Sequence, residues 1–556
     1  MLETNSLTWQ NIFKSAKAKL VLVMLIITLI GLPLVPHYGL TVDEGTEIAM
    51  IRHNLELLTK NIPIPGDLKY FGPVFNALAE TVFQAKEFLN NGFSFKGLNY
   101  ESQLNNETAK IKALKLRVEV KHYVTFLFSG IAYLAVAGIV SIFCGFEYAW
   151  FGALSLAVMP IHWGYSFFNP KDTPFAAVFT LASLLGAYLI NYYFQQDQEI
   201  KLGRNKATRY TIFYGVLLGL TSGVRIGAFL ILFFFLASYL GIWWEQSRQK
   251  QSLINFLGLY LLMATTWAVV HSLCYPAFWR NPIAGFFETL DYLSNHRLQI
   301  TVLFRGWDFP IQKIPRDYLL TWIFMAIPLV FNVGFIAGST WIIWRYKRLS
   351  ILQKSCAFLI WWQVLALPLF AVAKRSPIYD GMRHFLFITP GIVAIAVVAI
   401  IWLYQVLVTK RQKQFLIGLI VVIYAGIIVD MISLHPYQYV YINRTSGGIE
   451  ATPNQFDLEV LGLSLREGME WINQNGTTGS TVVVGGSHIN SARLYAAPGF
   501  EVIAYEGNEE SLPKLSKPFY YLSWIRWKSQ YHLQECPIVH QVTRRNTALS
   551  VIRKCE

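Results

Sequence analysis

Long apolar runs, interrupted by short polar or basic stretches, dominate the first 434 residues of the chain. A helix that crosses the hydrocarbon core of a bilayer needs about 20 mostly apolar residues at about 1.5 Å of rise each. By that measure about eleven spans are predicted, at 19–36, 124–145, 147–167, 174–194, 210–224, 226–244, 253–275, 318–344, 356–373, 385–408 and 414–434. The fifth is short. Lys14, Lys17 and Lys19 flank the start of the first run and no small-residue cleavage site follows it, so it is expected to be a retained anchor with a cytoplasmic N-terminus. After residue 434 the pattern changes to a helical run at Leu463 to Asn473, a strand at Thr481 to Val484 ending in Gly485-Gly486, a helical stretch near Ser491 to Ala497 and further strand-like pieces. The expectation is a polytopic α-helical membrane domain over 1–434 and a small C-terminal α/β domain over 435–556.

Composition agrees, with 54% hydrophobic and 14% charged residues, which is more apolar surface than one soluble core buries. Lys+Arg 47 against Asp+Glu 33 leaves a net +14. The excess reads as topological, not as a nucleic-acid footprint, because basic residues collect on cytoplasmic loops. Threading the spans puts Lys201, Arg204, Lys206 and Arg209, then Arg248 and Lys250, then Arg345, Lys347, Arg348 and Lys354, then Lys410, Arg411 and Lys413 on that side. The long segment 37–123, the loops at 169–173, 276–317 and 374–384, and the whole tail then face outward. None of the five cysteines has metal-ligand spacing. Segments 538–543 and 548–554 can pair as a hairpin around Arg545-Asn546, which sets Cys536 opposite Cys555. A disulfide and two unpaired thiols both remain open at this point.

Chemistry is sought on the outward loops. Asp43-Glu44 follows the first span within Thr41 to Glu47. Asp43 can take a proton from a hydroxyl that attacks an anomeric carbon, and the same pair would serve equally as the cap and first turn of a helix from Glu47 to Leu58. Asn169-Pro170-Lys171-Asp172-Thr173-Pro174 lies in a loop of few residues, where Asp172 offers a second carboxylate and Lys171 a cation, or Asp172 a helix cap. Arg225 is an arginine inside an apolar stretch, either a costly buried charge or an interfacial residue between two helices. Lys374 to His384 places Arg375, Arg383 and His384 on the outward side, against the topological trend. Phosphate would satisfy those cations, as would Asp380 or anionic headgroups.

Asp43-Glu44, Tyr70-Phe71-Gly72-Pro73, Asn169 to Phe175, Trp279-Arg280-Asn281-Pro282, Tyr379 to His384 and His435 to Asn443 occur in order along most of the chain. This ordered set resembles bacterial relatives of the dolichyl-phosphate-mannose protein mannosyltransferases, in the membrane-embedded GT-C glycosyltransferase superfamily. The resemblance implies a GT-C type membrane domain in a bacterial inner membrane, a polyprenyl-phosphate sugar donor and a protein or envelope glycolipid acceptor. It implies Asp43 as base with Glu44 in support, Asp172 as the second acid, and Lys171, Arg225, Arg375, Arg383 and His384 around the donor phosphate. Some superfamily members hold a divalent metal ion between first- and second-loop carboxylates and the mannosyltransferase branch works without one, so a divalent metal stays open at this point and is not predicted. Phe456 to Gly462 departs from the aspartate-tyrosine-tryptophan run of relatives. A secondary transporter or lipid flippase of similar topology is the alternative, and it would place its ionisable groups at the midplane within inverted repeats.

Overall fold

In a computed structural model of the protein, residues 15–90, 107–195, 206–246, 253–295, 299–486, 489–505 and 518–556 are described. Lys14, Lys201, Arg204, Arg248 and Lys250 lie outside them.

The apolar runs form helices. The first is α1 (Ala16–Leu34), followed on the outward side by α2 (Glu44–Lys60) and α3 (Val74–Asn90). The chain returns in the 38-residue α4 (Glu107–Cys144), then makes the short α5 (Ala149–Ala157) and α6 (Pro160–Tyr165). Next come α7 (Asp172–Gln195), α8 (Lys206–Val224), α9 (Leu230–Glu245), α10 (Leu253–Cys274) and α11 (Pro282–Ser294). A hairpin of β1 (Thr301–Phe304) and β2 (Trp307–Pro310) leads to α12 (Tyr318–Ala326) and α13 (Leu329–Arg345). The bundle closes with α14 (Ile351–Trp361), which runs through a π-turn into α15 (Leu367–Lys374), then α16 (Thr389–Val406) and α17 (Lys410–Leu434).

Among the described residues eight helices are long and apolar enough to cross a membrane, and α12 with α13, bent by 109°, form either a broken ninth span or a re-entrant loop. Two predicted spans differ. Segment 147–167 is broken because Met159, ahead of Pro160, is extended, as the steric clash with a following proline ring favours. Segment 210–224 is the 19-residue α8, long enough at about 28 Å, but Lys206 and Arg209 in its first turns dilute its apolar character. The protein is therefore an integral membrane protein with eight or nine candidate spans. Helices α7 and α16 are buried over 78% and 83% of their apolar windows, against 17% for α1 and α10, so they form the bundle axis. Gly334 and Gly338 bring α13 onto Ala396 and Ile395 of α16, where an added Cβ would overlap the neighbouring chain. Asn443 fastens the α12–α13 bend by donating from Nδ2 to the carbonyls of Phe324 at 2.6 Å and Ile327 at 3.0 Å.

The tail forms a small α/β unit. Helix α18 (Ser464–Asn475) precedes β3 (Thr481–Gly485), a one-turn α19 (Asn490–Arg493), β4 (Glu501–Tyr505), β5 (Phe519–Trp524), β6 (Ile538–Arg544) and β7 (Thr547–Cys555). The sheet order is β4-β3-β5-β7-β6, with β3 parallel to β4 and β5 and the last two pairings antiparallel. Leu465, Met469 and Ile472 of α18 pack on Val482, Val484 and Leu522. Arg545 and Asn546 both adopt positive φ between β6 and β7, as a two-residue hairpin turn demands. Cys536 and Cys555 are joined in a disulfide with Cα atoms 4.9 Å apart.

That bond closes a loop spanning 19 positions, a constraint of about 3 kcal/mol on the unfolded tail. Replacing both cysteines by serine is expected to raise the rate of tail cleavage in limited proteolysis, with the membrane fragments unchanged on a gel.

Candidate active site

At the exit of α1 the side chains of Asp43 and Glu44 part company. Glu44 is wholly buried. Its Oε2 accepts from the Thr41 amide at 2.9 Å and the Thr41 hydroxyl at 3.1 Å, and its Oε1 lies 2.8 Å from His122 Nε2. This reach-back of a glutamate to a threonine three residues earlier ties the first turn of α2 to the chain that leads into it. Asp43 occupies the N-cap position of α2 but makes no side-chain cap bond, so its half-exposed carboxylate is left to the cleft. The start of the next loop helix behaves alike. Asn169, not Asp172, caps α7, since its Oδ1 accepts from the amides of Asp172 at 2.8 Å and Lys171 at 3.1 Å. Its Nδ2 donates to Asp172 Oδ2 at 2.8 Å.

Arginines from two other elements meet these carboxylates. Arg225 stands on an extended residue between α8 and the turn into α9, the interfacial of the two places open to it, and its Nη2 pairs with Asp172 Oδ1. Arg383, just ahead of α16, places Nη1 2.9 Å from Asp43 Oδ2 and Nε 3.6 Å from Asp172 Oδ2. The two aspartates therefore flank one guanidinium. Both arginines keep a buried Nε–H without a hydrogen-bond acceptor. Lys171 pairs with Glu47 at 3.1 Å and lies 3.9 Å from the centre of the Phe71 ring. Gly72 brings that loop onto the Gly223 carbonyl, in a space no side chain could share. His384 Nε2 is 3.4 Å from Arg383 Nη2, and its ring meets Tyr379 edge-on.

Arg375 is not brought into this cluster. It caps α15 in the left-handed conformation, is exposed and lines a small cavity with Gln312 and Arg316. No described ion pair joins it to Asp43, Asp172 or Asp380, and the chain turns after Arg375 to deliver Arg383.

Sequence reasoning left Asp380 open as a partner and missed Arg526. Asp380 Oδ2 is 3.2 Å from Arg383 Nη1, and its Oδ1 accepts from Arg526 Nη2 at 2.5 Å. Arg526, two residues past the end of β5, also donates from Nη1 to the Val460 carbonyl at 2.7 Å. No sequence signal marks it, since Trp524-Ile525-Arg526-Trp527 reads as an ordinary strand end. Next to it, Asp457 accepts from the Leu303 amide at 2.8 Å and so ties β1 to the tail.

Two acids are shifted in opposite directions. Enclosure alone would raise the Asp43 carboxyl, but Arg383 and then Lys171 outweigh it and hold it below the ordinary aspartate range. At Asp457 burial prevails and lifts the carboxyl to about 6, despite the Leu303 amide and Arg526. Among the described residues no three His, Cys, Asp or Glu groups converge as a metal site requires. Asp43 and Asp172, the pair that would hold a divalent ion, are engaged by arginines, so the donor set does not fit a resident cation.

No family model matches the chain, and no curated protein matches it in sequence. Among solved structures it is similar to ArnT from Cupriavidus metallidurans bound to undecaprenyl phosphate, at 12% identity and TM-score 0.45, covering 97% of this chain and 98% of that one. It is also similar to the Archaeoglobus fulgidus oligosaccharyltransferase tethered with an acceptor peptide, at 14% identity and TM-score 0.45, covering 88% of this chain. The match spans 64% of that longer protein. At such identities and scores the likeness carries no argument about chemistry.

A carboxyl held near 6 when folded and near 4 when unfolded stabilises the fold fully below about pH 4 and ceases to do so above about pH 6. Asp457→Asn keeps an acceptor for the Leu303 amide. It is expected to flatten the decline in melting temperature between about pH 4 and about pH 6, followed by thermal unfolding in nanodiscs.

Proposed function

We propose that the protein is a membrane glycosyltransferase that moves a sugar from a polyprenyl-phosphate donor to a hydroxyl of a protein or envelope glycolipid, at the outer face of a bacterial inner membrane. The observation that carries this reading is the convergence of Asp43 and Asp172 with Arg225 and Arg383. A guanidinium fork suits a phosphate oxygen pair. The donor phosphate exchanges with carboxylates at these arginines, and Arg383 moves from Asp43 to the anion. Asp43, relieved of its partner, becomes the stronger base.

The acceptor oxygen then attacks the anomeric carbon from the face opposite the phosphate, and Asp43 takes its proton. The bond from that carbon to the phosphate oxygen breaks, its electron pair stays on the phosphate, and the product is inverted. Arg225, Arg383, Lys171 and His384 would stabilise the charge that develops there, more strongly in a poorly hydrated cleft than in water. Asp172 holds Arg225, and Glu44 fixes the start of α2. Arg375 is left out. The lipid tail finds room in an apolar groove of about 670 Å³ between α2, α3 and the end of α10, walled by Ile51, Leu55, Val74, Ala77, Phe88 and Leu273.

Orientation follows from charge. Lys206, Arg209, Arg345, Lys347, Arg348, Lys410, Arg411 and Lys413 lie at the ends of their helices remote from the cleft, which supports a cytoplasmic side there and an extracytoplasmic tail. A transporter would set its ionisable groups at the midplane. Here they gather where α2 and α7 begin and α8 ends.

The test is turnover of radiolabelled polyprenyl-phosphate sugars by protein in nanodiscs. Asp43→Asn is expected to lower turnover by about a thousandfold while the donor still binds within a few-fold of wild type. Undiminished turnover by that variant, or a wild type that accepts no such donor, would sink the reading.

A further inference from the structure

The catalytic end of the bundle borrows a charge from the tail. Asp380 stands at positive φ in the turn before α16 and has 7% of its surface exposed. Its backbone is pinned by the Arg383 amide, which donates to the Asp380 carbonyl at 3.3 Å, and by the following Gly381 amide, which donates to the Tyr318 hydroxyl at 3.0 Å. A carboxylate so placed cannot turn away, and without a second cation it would draw Arg383 wholly to itself. Arg526 supplies that cation. It is buried at 5% exposure, its fork is divided between Asp380 and the Val460 carbonyl, and its guanidinium lies against the Trp527 ring.

The described pairs around Arg383 therefore set three aspartates, Asp43, Asp172 and Asp380, against three arginines, Arg225, Arg383 and Arg526. One arginine of the three comes from the tail. Removing it leaves two cations for three carboxylates before any phosphate arrives, and an unpaired buried charge is the costly state.

We propose that Arg526 is a positioning residue, by which the C-terminal unit neutralises Asp380 and so leaves the Arg383 guanidinium free to serve Asp43 and the donor phosphate. The tail then acts as part of the donor site and not as an appended binding module. This rests on the transferase reading above, and the experiment separates the two.

Wild type, Arg526→Gln, Arg526→Lys and the double variant Asp380→Asn/Arg526→Gln are compared in nanodiscs for thermal unfolding, donor KM and kcat. Arg526→Gln is expected to raise donor KM about tenfold or more and to lower the melting temperature. Arg526→Lys, with one point charge in place of a fork, should fall between. The double variant is expected to recover both quantities, because the uncharged amide it carries in place of the Asp380 carboxylate no longer competes for Arg383. A merely structural Arg526 predicts the reverse, with the second substitution adding to the damage. That outcome, or unchanged KM in Arg526→Gln, overturns the proposal. A wild type inactive on every donor removes the transferase reading, and recovery of melting temperature in the double variant still decides whether Arg526 neutralises Asp380.

Discussion

The guanidinium of Arg383 organises this molecule, because three carboxylates from three separate stretches of chain converge on it. Asp43 follows the first span, Asp172 opens α7, and Asp380 precedes Arg383 by three residues. Taking such groups out of water costs several kcal/mol each, which only close, multiple pairing offsets. The ends of α2, α7 and α16 are therefore bound to one another by charge, and Arg225 and Arg526 complete the set from just beyond α8 and β5. Buried apolar side chains align the bundle. The ion network decides which helix ends must meet.

A network so balanced is stable at rest and committed to exchange in use. Any anion that enters must take an arginine from a carboxylate, and the carboxylate released is then unpaired in a cleft of low polarity. For a phosphate-bearing ligand this couples binding to base strength, since Asp43 is held low chiefly by Arg383, then by Lys171, against its own enclosure. On the proposed reading, the groups that would bind the leaving phosphate are the ones that hold Asp43 below the ordinary aspartate range beforehand.

Much of the fold was legible because apolar length is a local property. The hairpin around Arg545-Asn546, and with it the meeting of Cys536 and Cys555, also follows from alternation plus a turn. Segment 147–167 was not, since hydropathy averages over the break that Pro160 imposes. In the site, Asp43, Lys171, Asp172, Arg225 and Arg383 stood out as charges beside apolar runs. Their roles divided only in three dimensions. Glu44, adjacent to Asp43, points the other way because a helical start sends successive side chains about 100° apart. Arg375 sits eight positions before Arg383 with the same charge, yet the left-handed cap of α15 leaves it outside. Arg526 lies 146 positions beyond Asp380, a distance no local pattern spans.

The same network accounts for the basic residues of the cleft, which the proposed orientation puts on the outward side. The positive-inside bias acts on loops whose cations stand alone. Lys171, Arg225, Arg383 and Arg526 do not, for each is matched by Glu47, Asp172, Asp43 or Asp380. The helix ends remote from the cleft differ. Lys354 there is paired with Glu245 at 2.5 Å, but Lys347, Arg348, Lys410 and Arg411 belong to no described ion pair. Counting cations that lack a carboxylate, and not cations as such, takes the cleft residues out of that conflict, whereas Lys374 and Arg375 are exposed and belong to no described ion pair.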